Sequence, residues 1–368
     1  MIETAVEDRA LPEPVAGIAR LAPYAVADLP ASSGSVIALA QNESLRGPSP
    51  RALEAAAAAL SDGALYPDAG WRKLRAALAA QHGLDEGQIL CAAGSMELIR
   101  GISMAYLGPG LRAVAPAHAY PYFLTATALM GAETDLVAEV GMTVDVDALL
   151  AAIRSETRVL WLANPGNPTG TALPAAEIMR LREALPSRVL LVLDEAYGEF
   201  AEEGPFWPLV GHGDTVVLRT FSKAYGLAGF RIGWGLFPPA IAEELNKVLP
   251  PGGVTAASQA AALAALQDQA YMHETVEMTA ALRDDLAARA RALGFEVPVS
   301  RANFVLLRFG DAERAARADA RLRAGGVYLR PAAGAGLPHC LRATVGPAAA
   351  MAVLVRQLEA VMREGGAP

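Results

Sequence analysis

Cysteine is nearly missing from this chain: Cys91 and Cys340 are the two in 368 residues. That excludes a disulfide framework and a cysteine-rich metal site, and a reducing compartment is the natural reading. Membrane-length apolar runs are missing too. Residues 113–132 and 248–267 carry no charge, but prolines, glycines or polar side chains interrupt each, unlike a spanning helix. Residues 1–20 scatter Glu3, Glu7, Asp8 and Glu13 and have neither the basic start nor the apolar run of a signal peptide. Positive charge is in deficit, with a net charge of −8. That argues against a nucleic-acid backbone binder while allowing a local basic pocket for a small anion. The five histidines (His82, His118, His212, His273, His339) form no H-E-x-x-H or carboxylate–histidine group, so no metal site is expected. The Walker loop, the dinucleotide fingerprint after the first strand and the G-x-S-x-G elbow are absent as well. A cytoplasmic protein is expected, soluble and without membrane, nucleic-acid or metal partners.

What is present is apolar mass. Hydrophobic residues make up 53% and charged ones 19%, which supports a large buried core and excludes disorder or a coiled coil. The length exceeds what one core comfortably serves, so two units are expected. Residues 50–60 and 71–82 have helical patterns. Short apolar runs at 113–115, 159–162, 189–193 and 216–218 look like buried strands, with a helical stretch at 174–184 among them. Such alternation predicts an α/β unit with a mainly parallel sheet covered by helices on both faces. After about residue 255 the pattern changes. Helices are expected at 256–267 and 270–293, and strands at 305–309, 327–329 and 341–345 around a helix at 311–324. This gives a large domain over 41–255 and a smaller α+β domain made from 1–40 and 256–368.

Four segments could carry chemistry. The run T-F-S-K-A-Y-G-L-A-G-F-R-I-G at 220–233 puts Lys223 in apolar, glycine-rich surroundings. Desolvation lowers a lysine's pKa and makes its amine a usable nucleophile, as Schiff-base enzymes require. Ser222 offers a hydroxyl beside it, and the guanidinium of Arg231 suits a phosphate. Upstream, V-L-L-V-L-D-E-A-Y at 189–197 delivers Asp194 to the carboxyl end of a strand, where open α/β sheets bind ligands. A carboxylate there needs a cation, and a protonated pyridine nitrogen would serve; an N-cap, metal ligand or nucleophile are the alternatives. The rigid turn N-P-G-N-P-T-G at 164–170 leaves the Asn167 amide free to donate. The small-residue turn A-A-G-S-M-E at 92–97 opens a helix whose first N–H groups, at Ser95 and Met96, suit an anion. Tyr120 could stack on a planar ring or simply pack.

In this order, these segments resemble the fold type I pyridoxal-phosphate aminotransferases, and among them the histidinol-phosphate aminotransferase branch. The likeness extends from L-A-P-Y at 21–24 through Q-N-E-S-L-R-G-P-S-P at 41–50 and Y-P-D at 66–68 to L-R-A-T-V-G at 341–346. The resemblance implies pyridoxal 5'-phosphate held covalently by Lys223, which would then move the proton between the substrate Cα and the cofactor. It implies Asp194 on the pyridine nitrogen, Asn167 and Tyr197 on the phenolic oxygen, and Tyr120 on the ring face. Ser222, Arg231 and the amides of Ser95 and Met96 would hold the phosphate. Tyr66 would reach it from a second copy, implying a homodimer with shared active sites. Arg342 would bind the substrate's carboxylate or phosphate, with Arg330, Tyr24 and Asn42 as neighbouring candidates. Met96 stands where the family usually has an acidic residue, and Asn42-Glu43-Ser44 lacks the proline common there.

The resemblance therefore implies a transaminase working between an amino donor and a 2-oxo acid. The expected pair is histidinol phosphate with 2-oxoglutarate, in histidine biosynthesis; an aromatic amino acid such as phenylalanine or tyrosine is the alternative donor. A decarboxylase of a phosphorylated amino acid on the same scaffold, or a binding protein without catalysis, would share much of this pattern.

Overall fold

The structure, a computed structural model, describes residues 13–19, 21 and 36–365; Tyr24 lies outside the described residues. A two-residue strand, β1 (Ile37–Ala38), precedes α1 (Pro50–Ala59). Ser49 starts α1 by accepting the Ala52 N–H at 3.2 Å, and Pro50 sits in the first turn, where a missing N–H costs nothing. Next comes α2 (Arg72–His82), closed by Gly83 in the left-handed region.

The central sheet holds β2 (Ile89–Ala92), β3 (Arg112–Pro116), β4 (Glu133–Val137), β5 (Thr157–Ala163), β6 (Leu190–Asp194), β7 (Thr215–Thr220) and β8 (Gly233–Leu236). Their spatial order is β2-β8-β7-β6-β5-β3-β4. All neighbours run parallel except β8, which is antiparallel to β2 and β7. Helices α3 (Ser95–Tyr106), α4 (Pro121–Leu129) and α5 (Ala175–Ala184) connect the strands. Every residue of β6 and β7 is buried, which is why these strands read as unbroken apolar runs. Trp161 of β5 is fully buried and stacks on Phe123 of α4, ring centroids 5.1 Å apart.

Beyond α6 (Ala256–Leu266) and the long α7 (Gln269–Ala292) lies a second buried cluster. Its antiparallel sheet joins β9 (Phe304–Arg308), β11 (Arg330–Pro331) and β12 (Cys340–Thr344) in the order β11-β12-β9. It is covered by α8 (Ala312–Ala324) and α9 (Ala348–Gly365). Asp311 caps α8 by accepting the Arg314 N–H at 2.7 Å. No helix among the described residues is long and apolar enough to cross a membrane.

Three expectations change. Helix α6, expected in the smaller unit, packs along α1 and α2, and its buried face, including Ala261, Ala262 and Ala265, belongs to the larger core. The strand expected at 327–329 is β10 (Val327–Tyr328), which pairs in parallel with β1 rather than joining the three-stranded sheet. The short helix Ala16–Ala19, placed with the smaller unit by position alone, lies against α4: a Cβ on Gly17 would come within 2.4 Å of the Ala128 carbonyl.

One crossing fixes the shape around residue 223. Residues 47 and 48 pass over Gly226, whose φ is +72° and where a Cβ would sit 2.3 Å from the Gly47 carbonyl. Gly226→Ala should therefore destabilise the protein by about 1–3 kcal/mol through strain and overpacking. An unchanged urea midpoint in this variant would show that the crossing is not tight.

Candidate active site

Strand β6, the central strand of the sheet, is apolar until its last residue, so its carboxyl end leaves Asp194 4% exposed at the carboxyl-terminal rim of the sheet. The carboxylate accepts the Ala196 N–H at 3.1 Å and forms no ion pair with any described residue. Burial pushes its pKa up to about 7, with Glu195 adding repulsion; the Ala196 N–H and Lys223 oppose the rise. Lys223 follows the end of β7 in the neighbouring loop. Its Nζ donates to the Asn42 carbonyl at 3.0 Å and the Gln41 carbonyl at 3.3 Å, and stands 5.8 Å from the Tyr197 ring centroid. Desolvation first, then the charges of Arg342 and Arg231, bring this amine down to about 7 against the pull of Glu43 and Asp194. An amine at that value carries or releases a proton near neutrality, as acid–base work requires.

Around this pair the sequence-expected residues converge. Asn42 is 1% exposed, and its side-chain amide donates to the Tyr197 hydroxyl at 2.9 Å. Arg342 donates to Asn167 Oδ1 at 2.6 Å and to the Ala40 carbonyl at 2.7 Å. Arg330 is its register partner across β11 and β12, so two guanidinium-bearing residues flank one end of the site. Tyr120 caps α4 and lines a small cavity together with Asn167. Tyr66 is fully exposed and takes part in no contact with this cluster.

The opposite end is built for close backbone approach. Gly94 opens α3 with a φ of +86°, and a Cβ there would fall 2.6 Å from the Arg231 guanidinium. Gly233, at the start of β8, allows no Cβ either: it would lie 2.4 Å from the Ser95 nitrogen. The first N–H groups of α3, at Ser95 and Met96, have no partner within the helix, and the buried Ser222 hydroxyl accepts from Thr220 at 2.9 Å. Glu97 reaches back to the Ala93 N–H at 2.7 Å and closes the turn. The combination of helix-start amides, hydroxyl and guanidinium fits a phosphate. A carboxylate without a cation, a desolvated amine and this anion cradle together fit a phosphorylated pyridine aldehyde. Among the described residues, no group of histidines, cysteines and carboxylates is placed to hold a metal.

Sequence reasoning missed two groups. Asn303 and Thr344, at the ends of β9 and β12, both bond Asn42. The other group is a buried charge cluster next to Asp194. Arg219 of β7 meets Glu195 at 2.8 Å and Glu199 at 3.0 Å and lies 5.2 Å from the Trp207 ring. Gly198 makes room for it, since a Cβ there would come within 2.5 Å of the guanidinium. Nearby, His82 stacks on Trp234 with centroids 5.4 Å apart; burial, then the charge of Arg219, holds it down to about 4. A charged residue inside an otherwise apolar strand was the available signal for Arg219.

Comparison with known proteins places this arrangement. The family model for aminotransferase class I and II matches residues 34–358. The chain is 41% identical to the histidinol-phosphate aminotransferase of Granulibacter bethesdensis, over 97% of this chain and 98% of that one. It is also 41% identical to the enzyme of that name from Ruegeria pomeroyi, over 89% and 91% of the two chains. The crystal structure of histidinol-phosphate aminotransferase from Sinorhizobium meliloti in complex with pyridoxal-5'-phosphate superposes with a TM-score of 0.85 at 34% identity, covering 89% of this chain and 91% of that one. The chain belongs to the class I and II aminotransferases. It is an enzyme with the fold type I architecture, and pyridoxal 5'-phosphate is its cofactor.

The raised pKa of Asp194 gives a pH signature. A buried carboxylate raised in this way weakens the cofactor-free fold as pH climbs from the ordinary carboxylate range, and fully so above about 7. Asp194→Asn removes that penalty. The cofactor-free variant should melt above wild type at high pH, by a margin that narrows toward about pH 4, while losing transamination. Thermal scans over this range check it; a margin independent of pH would exclude Asp194 ionisation as the cause.

Proposed function

We propose that this protein transfers the amino group of histidinol phosphate to 2-oxoglutarate, a step of histidine biosynthesis. The observation that carries the reading is the pairing at the carboxyl ends of two central strands: a desolvated lysine amine at about 7 beside a buried carboxylate that forms no ion pair with any described residue. The substrate assignment draws on the close relatives, which carry that activity in their names at about 40% identity over nearly the whole chain.

Bound pyridoxal phosphate supplies a ring that withdraws electrons from the substrate's Cα. Asp194 would keep the ring nitrogen protonated, because two opposite charges in a desolvated site hold the proton in place. Asn167 and Tyr197 would bond the phenolic oxygen and Tyr120 would pack on the ring. Ser222, Arg231 and the Ser95 and Met96 amides would take the phosphate. Lys223 would be the attachment point and then the base and acid at Cα, its proton affinity tuned by the charges that face it. Arg342 and Arg330 receive the anionic end of the donor, or the carboxylate of the acceptor, and Asn42 borders them. Tyr24 is assigned with them by resemblance.

The fully exposed Tyr66 supports a homodimer in which each copy lends this side chain to its partner's phosphate site. The two buried clusters support a large unit carrying the sheet and a smaller one drawn from both chain ends, with α6 in the larger. Two buried free thiols, Cys91 and Cys340, accord with a cytoplasmic enzyme.

With 2-oxoglutarate as acceptor, histidinol phosphate should turn over and phenylalanine should be far slower; turnover of phenylalanine alone would overturn the substrate assignment. Lys223→Ala and Tyr66→Ala should each be inactive, or nearly so, as pure proteins. Mixed and allowed to exchange subunits, they should regain activity, because one site of the hybrid has both residues. Failure to regain any activity despite demonstrated exchange would exclude shared sites.

A further inference from the structure

We propose that Asn303 is a positioning residue for Lys223: its side-chain amide fixes the Asn42 carbonyl on which the lysine amine rests. The inference rests on the functional reading above and names a residue that reading does not use.

Asn42 is a non-glycine residue at φ +53°, a left-handed conformation kept only where the surroundings over-determine it. Three contacts do so. Its N–H donates to Thr344 Oγ1 at 2.9 Å, and that hydroxyl donates to Asn42 Oδ1 at 3.2 Å. Asn303 Nδ2 spends its two hydrogens on successive carbonyls, Asn42 at 3.0 Å and Glu43 at 3.2 Å. The Asn42 carbonyl also accepts from Lys223 Nζ at 3.0 Å, so one oxygen serves the clamp and the amine together. Asn303 is itself anchored. It is 1% exposed, and its carbonyl accepts the Val345 N–H at 2.9 Å. Phe304, the next residue, is the register partner of Thr344. The ends of two paired strands thus present both clamping side chains to the segment that touches the lysine. The same clamp sets the Asn42 amide that bonds Tyr197.

Asparagine is suited to this place because its amide carries two donors on one rigid group; serine offers one, and an aspartate would repel both carbonyls. Without the amide, the 42–43 backbone loses the contact that orients its carbonyls, while Arg342, Arg231 and Asp194, three of the charges around the amine, stay in place.

Asn303→Ala and Thr344→Val, loaded with pyridoxal phosphate, provide the test, with wild type beside them. Borohydride reduction and peptide mapping should find the adduct on Lys223 in all three. In both variants the midpoint of the pH-dependent absorbance change of the bound cofactor should move by about half a unit or more. In Asn303→Ala, kcat should fall about tenfold, near the upper size of one lost hydrogen bond between neutral groups, with KM for 2-oxoglutarate changed less than about twofold. Variants that melt earlier but keep the wild-type midpoint and kcat would overturn the proposal and leave Asn303 a purely structural residue. If Asn303→Ala does not fold, an unmoved midpoint in Thr344→Val overturns it alone. A wild-type protein that carries no adduct at position 223 would instead defeat the functional reading.

Discussion

A lysine amine withdrawn from water at the meeting of two buried cores is the constraint on which the rest of this site depends. Losing hydration makes the charged amine costly unless acceptors replace the water. Here the acceptors are main-chain carbonyls of residues 41 and 42, which come from the segment leading out of the smaller unit. Desolvation and the cations Arg342 and Arg231 lower the amine's pKa, the carboxylates Glu43 and Asp194 oppose them, and the amine settles at about 7. Because Asn303 and Thr344 in turn hold Asn42, the setting of the lysine depends on the central sheet and the three-stranded sheet at once.

Two adjacent carboxylates at the end of β6 meet opposite fates. Glu195 is matched by Arg219, which also holds Glu199. Asp194, one residue earlier, has a single main-chain N–H. Alternation along a strand sends neighbouring side chains to opposite faces, so one acid is used to bind the strand ends together while the other is kept for a ligand. A buried acid left without a cation is expensive for the fold, and that expense would make Asp194 a selective partner for the protonated ring nitrogen in the proposed function.

Much of this is legible in the amino-acid sequence. Strands buried on both faces spell themselves as apolar runs, so β5, β6 and β7 were found close to their true limits. Asp194 and Lys223 stood out because charges are rare inside such runs. Helix α8, expected at 311–324, spans Ala312–Ala324. The failures share a cause. Helix α6 is so rich in alanine that no polar face tells which core it joins. Strand β10 is two residues long, too short for any period, and its partner begins at Ile37. Asn303 and Thr344 are ordinary polar residues in sequence; their meaning arises only where they meet Asn42, 261 and 302 residues away along the chain. Local pattern reports burial well and long-range polar pairing hardly at all.

The reversed direction of β8 has a further implication. Because it runs against β7 and β2, its first residue, Gly233, lies beside Thr220 and Ala92, where both neighbours end. Arg231 thereby arrives among the helix start at Ser95 and the hydroxyl of Ser222, although it precedes its strand and they follow theirs. Insertion of a single residue between positions 231 and 233 would either push the arginine out of the cradle or bring Ile232 or the inserted residue into the place only a glycine fits. The spacing of that short stretch should therefore resist length change far more than the surface loops on the opposite rim of the sheet.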